Sequence, residues 1–175
     1  MIATLKNGLE VIIKDAVVDD ALKVLEYMKT VNQETKNLTR EPDEFQMTLE
    51  EETAFLKRAI ESDHEAVVCA WDQDKLISVC GIHGSSLKRL KHRVNLGISI
   101  LKDYHDLGLG TILMNVLIER AKELGKLKIE LDVRSDNLGA IEVYKKTGFE
   151  VEGVRKNGFY VDGKYVDLLL MGKFL

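Results

Sequence analysis

The stretch Tyr104-His105-Asp106-Leu107-Gly108-Leu109-Gly110-Thr111 joins a β-like run, Arg93 to Leu101, to the clearest helical pattern in the chain. From Thr111 to Leu124, residues Leu113, Leu117, Ala121 and Leu124 fall on one side, and Asn115, Glu119, Lys122 and Glu123 on the other. That spacing predicts an amphipathic helix, closed by Gly125 at its C′ position. Glycines ahead of a helix let main-chain N–H groups approach an anion, and the helix dipole adds partial positive charge at the same place. Strand, glycine turn and helix start therefore read as a diphosphate cradle made of backbone. Taken alone, Gly-x-Gly is equally a tight strand-to-helix turn. No Gly-Lys-Ser/Thr follows, which excludes a P-loop. Asp132 lies about 20 residues on, as a dinucleotide-binding fingerprint wants, but bulky Leu113 stands where its third small residue belongs.

Beyond this helix, Lys128 to Val133 alternates as a strand, and Asn137 to Thr147 reads as a short helix closed by Gly148. Asn137, Ala140 and Tyr144 share a face of that helix. Asn137 can bond an amide-bearing ligand, Ala140 leaves room for its arm, and Tyr144 presents a hydroxyl. An N-cap asparagine and a core tyrosine are the plain alternative. Phe149 to Val151 opens a strand, Asp162-Gly163 is a hairpin turn, and Val166 to Met171 is the last strand.

Upstream, Glu10 to Lys14 reads as the first strand and Asp19 to Thr30 as a helix, with Asp19 or Asp20 as its cap. Thr48 with Glu51 makes a capping-box pattern for a second helix, whose apolar side is Ala54, Phe55, Ala59 and Ile60. Ala66–Trp71 and Leu76–Ile82 form a strand pair around a short polar turn. The resulting order, β-α-α-β-β-β-α-β-α-β-β, predicts a mixed sheet with helices on its faces.

The 175 residues suit one domain, 1–175, with 45% hydrophobic and 31% charged residues. The formal net charge of -4 argues against nucleic-acid binding. Glu34 to Glu65 carries ten acids against four bases, a face that either draws in a cationic amine or is simply solvated. No apolar run approaches the ~20 residues of a membrane span, and the N-terminus shows no secretory h-region. Cys69 and Cys80 lie in strand-like sequence and read as buried thiols of a reducing cytoplasm. The four histidines show no metal-ligand spacing and read as surface or loop residues.

The glycine loop and the asparagine–tyrosine helix together resemble the GNAT superfamily of acetyl-CoA N-acetyltransferases. The family's Gln/Arg-x-x-Gly-x-Gly/Ala appears as His105-Asp106-Leu107-Gly108-Leu109-Gly110, with His105 departing from the usual first residue. Its Asn-x-x-Ala-x-x-x-Tyr followed by Gly-Phe is matched by Asn137, Ala140, Tyr144, Gly148 and Phe149.

The resemblance implies an α/β (α+β) fold with a mixed, mostly antiparallel central sheet and helices on both faces. It implies acetyl-CoA as co-substrate, no metal, and direct attack by an amine in a ternary complex. The strand Leu96 to Ile100 should splay from its neighbour at a bulge, so that Ile98, Ser99 and Ile100 bind the pantetheine arm. The N–H near Ile98 would polarise the thioester carbonyl. His105 through Thr111, Asn137, Ala140 and Lys146 complete the cofactor contacts. Tyr144 would protonate the departing thiolate, an uphill transfer of about 2 kcal/mol from ordinary phenol and thiol pKa values.

Glu34 and Asn95 stand on the acceptor side, and a water near Asn95 or Ser99 is the other candidate base. The closing stretch Gly148 to Lys173 resembles the branch acting on α-amines of amino acids, peptides or ribosomal-protein N-termini. A polyamine acceptor, a non-catalytic acyl-CoA sensor and a nucleotide-binding regulatory domain remain rivals. Such domains often pair, which leaves a homodimer open.

Overall fold

A computed structural model describes residues 1–175. Its centre is one eight-stranded sheet in the order β1-β2-β3-β4-β5-β6-β8-β7. The strands are β1 (Ile2–Thr4), β2 (Glu10–Asp15), β3 (Glu65–Asp72), β4 (Lys75–Gly84), β5 (Arg93–Ile100), β6 (Lys128–Arg134), β7 (Glu150–Val161) and β8 (Lys164–Phe174). Every neighbouring pair is antiparallel except β5 and β6. The helices are α1 (Ala21–Glu34), α2 (Leu49–Glu61), α3 (Leu109–Glu123) and α4 (Leu138–Lys146). Helix α1 reaches Ser99 on one face of β5 through Tyr27, while Gly110 of α3 lies against Ile100 on the other. The mixed sheet with helices on both faces is the architecture the sequence predicts.

Local chemistry accounts for most boundaries. Thr48 accepts the Glu51 N–H at 3.2 Å, and the Glu51 carboxylate accepts the Thr48 N–H at 2.8 Å, so the capping box is formed. Asp162 and Gly163 both adopt positive φ, 50° and 76°, as a two-residue hairpin of the primed kind requires. On α3 the sealed residues are Leu109, Leu113, Met114, Leu117 and Ala121. Each large one contributes roughly 1.5–3 kcal/mol of burial.

Three expectations change. A strand, β1, precedes Glu10: three residues with an exposed Ile2 gave no periodicity to read. On α2 the buried stripe runs Glu52, Leu56, Ala59, which turns Ile60 outward. Helix α1 extends to Glu34, because Tyr27, Val31 and Asn32 continue its buried side. No helix is long and apolar enough to cross a membrane.

Candidate active site

Three elements converge at the C-terminal end of β5. The first is a gap in the sheet. Strand β5 pairs with β6 only from Arg93 to Asn95, opposite Lys128 to Glu130. Past Asn95 the two part, while β5 stays paired with β4 as far as Ile100. The register with β4 runs without a shift, so the splay comes from divergence of β6 and not from the expected bulge. The Leu101 N–H donates to the Ile77 carbonyl at 3.0 Å. In an antiparallel ladder this orientation alternates, so Ser99 and Gly97 also turn their main chain to β4. The N–H and C=O groups of Leu96, Ile98 and Ile100 then face the gap. Ser99 instead offers its side chain: its hydroxyl accepts from Tyr27 at 2.9 Å and donates to the Val79 carbonyl at 3.2 Å.

The second element is the start of α3. Asp106 and Gly108 take positive φ, 60° and 87°, and Gly108 is the N-cap with no side chain capping the helix. The first intrahelical bond runs from the Ile112 N–H to the Gly108 carbonyl at 3.3 Å. The N–H groups of Leu109, Gly110 and Thr111 precede it and are free to face an anion. A Cβ at Gly110 would meet only ordinary contacts, Ile100 at 3.7 Å and Val143 at 3.8 Å. Packing therefore does not demand glycine there, and close approach of a ligand explains it better. His105 turns Nε2 to the Ile100 carbonyl at 2.9 Å, bridging the loop and the gap.

The third is α4. Asn137 caps it, accepting the Ala140 N–H at 3.4 Å and keeping its amide NH2 as a donor. Tyr144 is buried, and burial pushes its phenol up to about 12. Its hydroxyl makes no hydrogen bond within the protein, yet it is not among the side-chain atoms sealed without a partner. Lys146 pairs with Glu142 at 2.8 Å on the exposed side of the helix.

On the acceptor side, Glu34 accepts the Lys102 N–H at 2.7 Å, tying the end of α1 to the turn after β5. Asn95 is exposed at the last rung shared by β4, β5 and β6. Between the α1–α2 connection and β7 lies a groove lined by Leu38, Arg40, Glu41, Glu44, Phe159 and Tyr160, among others. Burial raises both cysteine thiols, so neither is a ready nucleophile. No group of three or more His, Cys, Asp or Glu residues could hold a metal.

The sequence reading missed Lys6. Its N–H donates to the Leu107 carbonyl at 3.0 Å and its side chain lies 3.6 Å from the Cβ position of Gly108. Only the pairing of β1 with β2 brings it to the loop, and no local pattern signals that. Tyr27 was likewise hidden, because its role appears only across the α1–β5 packing.

Residues 28–149 match the model of the Acetyltransferase (GNAT) family, and the chain belongs to that family. Its fold is shared by a GNAT-family acetyltransferase from Streptococcus pneumoniae, with 32% identity and a TM-score of 0.92 over 94% of this chain and 99% of that one. The protein yncA of Salmonella typhimurium, solved with its cofactor acetyl-CoA, has the same fold at 17% identity, with a TM-score of 0.82 over 94% and 93%. In sequence, the chain is 37% identical over 86 residues to the L-amino acid N-acetyltransferase AaaT of Escherichia coli K12, covering 49% of this chain and 53% of AaaT. The matches span about half or less of the curated relatives' own length.

Proposed function

We propose that the protein is an N-acetyltransferase that moves the acetyl group of acetyl-CoA to a primary amine within a ternary complex. The observation that carries this reading is the edge of β5 at Ile98 and Ile100, which no strand pairs, opening beside an uncapped helix start. Acetyl-CoA supplies the acyl group as an activated thioester. The N–H groups of Leu109, Gly110 and Thr111 hold its diphosphate, with the loop His105–Gly108 and Lys6 around them. Ile98 and Ile100 bind the pantetheine amides as an added strand. The Ile98 N–H polarises the acyl carbonyl. The Asn137 amide and the space above Ala140 guide the arm, and Lys146 lies on the same helix.

Tyr144 delivers a proton to sulfur. With its phenol near 12 and a thiol near 8.5, full transfer to a formed thiolate costs about 5 kcal/mol. The proton therefore moves as the C–S bond breaks. The same elevation keeps Tyr144 protonated throughout the physiological range.

For the acceptor we favour the α-amine of an amino acid or peptide. Arg40 enters no ion pair and lies in the groove beside Phe159 and Tyr160, where a guanidinium suits a substrate carboxylate. Glu44 in the same groove is committed to the Glu41 N–H at 2.8 Å. The acidic segment Glu34–Glu65 favours a polyamine as the second reading. Incubation with acetyl-CoA and a panel of amino acids, peptides and polyamines, with mass detection, separates them. Acetylated α-amines are expected. Acetyl-CoA binding with no acetylated amine would leave a sensor.

A further inference from the structure

The base that frees the amine is not among the residues assigned above. Tyr27 is buried and its phenol is raised well above the ordinary range by burial, so it cannot accept a proton near neutrality. Glu34 spends one carboxylate oxygen on the Lys102 N–H. Glu65 and His83 are unused, and their geometry is specific. Glu65 opens β3 and pairs in register with His83 on β4. Its Oε2 is buried with no hydrogen-bond partner and lies 3.9 Å from His83 Nδ1. The Phe55 ring packs against the imidazole at 6.0 Å between centroids.

The other ring nitrogen points along its own strand. His83 Nε2 lies 3.6 Å from where a Cβ of Gly81 would stand, so the ring leans along β4 toward that glycine. Gly81 is paired across the ladder with Gly97 of β5, where a Cβ would meet nothing within 4 Å. At Gly81 the Ala66 carbonyl stands 2.6 Å from the Cβ position, so the open surface on this side lies over Gly97, on the strand that carries Ile98. Asn95 is the residue opposite His83 and borders the same surface.

We propose that His83 is the general base on the acceptor side, with Glu65 as the positioning residue beside its ring. This rests on the acetyltransferase reading above. His83 Nε2 takes a proton from the substrate ammonium, directly or through one water beside Asn95, and passes it to solvent. The freed nitrogen lone pair forms the C–N bond, and the C–S bond breaks with its electron pair leaving on sulfur. Nitrogen loses two protons overall. One is balanced by the proton that Tyr144 gives to sulfur, and the other ends in water.

The charged and titratable groups on the elements packed here are Glu65 on β3, Arg58 on α2, whose guanidinium stacks on Phe55 at 5.2 Å, and Lys57, Glu61, Asp63 and His64, which line the same pocket as Glu65 and Arg58. Beyond Asn95 lies Glu130 of β6, which Arg93 and Lys128 already hold.

The test combines kinetics with a ligand-free measurement. The His83 ring protons are followed by NMR against pH in wild type and Glu65→Gln, and kcat/KM is followed over the same range. The rising acid limb of wild-type kcat/KM should share its midpoint with the His83 titration. Both midpoints should move together in Glu65→Gln. His83→Gln and His83→Asn should lose that limb and about 10²-fold in rate near neutrality, while binding acetyl-CoA as wild type does. An unchanged limb in both His83 variants that still bind acetyl-CoA would overturn the base assignment alone. A kinetic midpoint that stays put while the NMR midpoint moves would do the same. Wild type that acetylates no amine would remove the acetyltransferase reading and this inference with it.

Discussion

Gly108 and Gly110 are two residues apart yet carry different physics. Gly108 sits at φ 87°, and its added Cβ would touch only the Lys6 side chain at 3.6 Å. Gly108→Ala therefore costs conformational strain and not a clash, about 1–2 kcal/mol by thermal or urea unfolding. Gly110 lies inside the first turn of α3 with room for a methyl group. Gly110→Ala should hold or raise stability through helix propensity. It should weaken acetyl-CoA binding by about ten- to a hundredfold, as one or two main-chain bonds to the diphosphate are lost. Calorimetry on the two variants separates the roles. Glu52 gives a third case. It lies in the first turn of α2, where the helix dipole favours its charge, yet burial raises its pKa, so burial wins. The folded state then holds the proton more tightly than the unfolded chain. Stability is greatest below the unfolded pKa and declines as pH rises through the folded one. Glu52→Gln should raise the melting temperature at pH 7–8 by on the order of 2–4 °C, with the difference shrinking toward pH 4.

At the scale of elements, the capping box at Thr48 was legible because both partners lie within four residues. Thr48→Ala should cost about 1 kcal/mol, read as a lower unfolding midpoint with unchanged acetyl-CoA affinity. The glycine loop, α3 and the hairpin at Asp162-Gly163 were legible for the same reason: each depends on near neighbours in sequence. The splay was not. Nothing in Leu96 to Ile100 says that β6 will diverge after Glu130. There β8 runs beside β6 all the way to Arg134, while α3 packs against β4, β5 and α4. Ile60 misled for a related reason. It fits a helical apolar stripe, yet it faces out, because the sheet meets α2 along Leu56 and Ala59.

Across the whole molecule, function rests on bringing distant residues together. Lys6, Ile98, Gly110 and Tyr144 come from four parts of the chain, and the proposed mechanism needs them around one opening. The Gly110 position lies within van der Waals reach of both Ile100 of β5 and Val143 of α4. The motif residues of that opening could be read from sequence, because glycine turns and an N-capped helix leave local marks. The acceptor side could not, since Tyr27, Glu65 and His83 acquire meaning only from the faces on which α1, β3 and β4 place them. Both sides must act on one thioester, and the phenol of Tyr144 is the group whose removal isolates the chemistry. The decisive measurement is turnover and acetyl-CoA affinity of Tyr144→Phe at saturating amine. Loss of kcat by about 10²–10⁴ with little change in affinity is the predicted result. Turnover equal to wild type would contradict proton delivery by Tyr144 and the mechanism built on it.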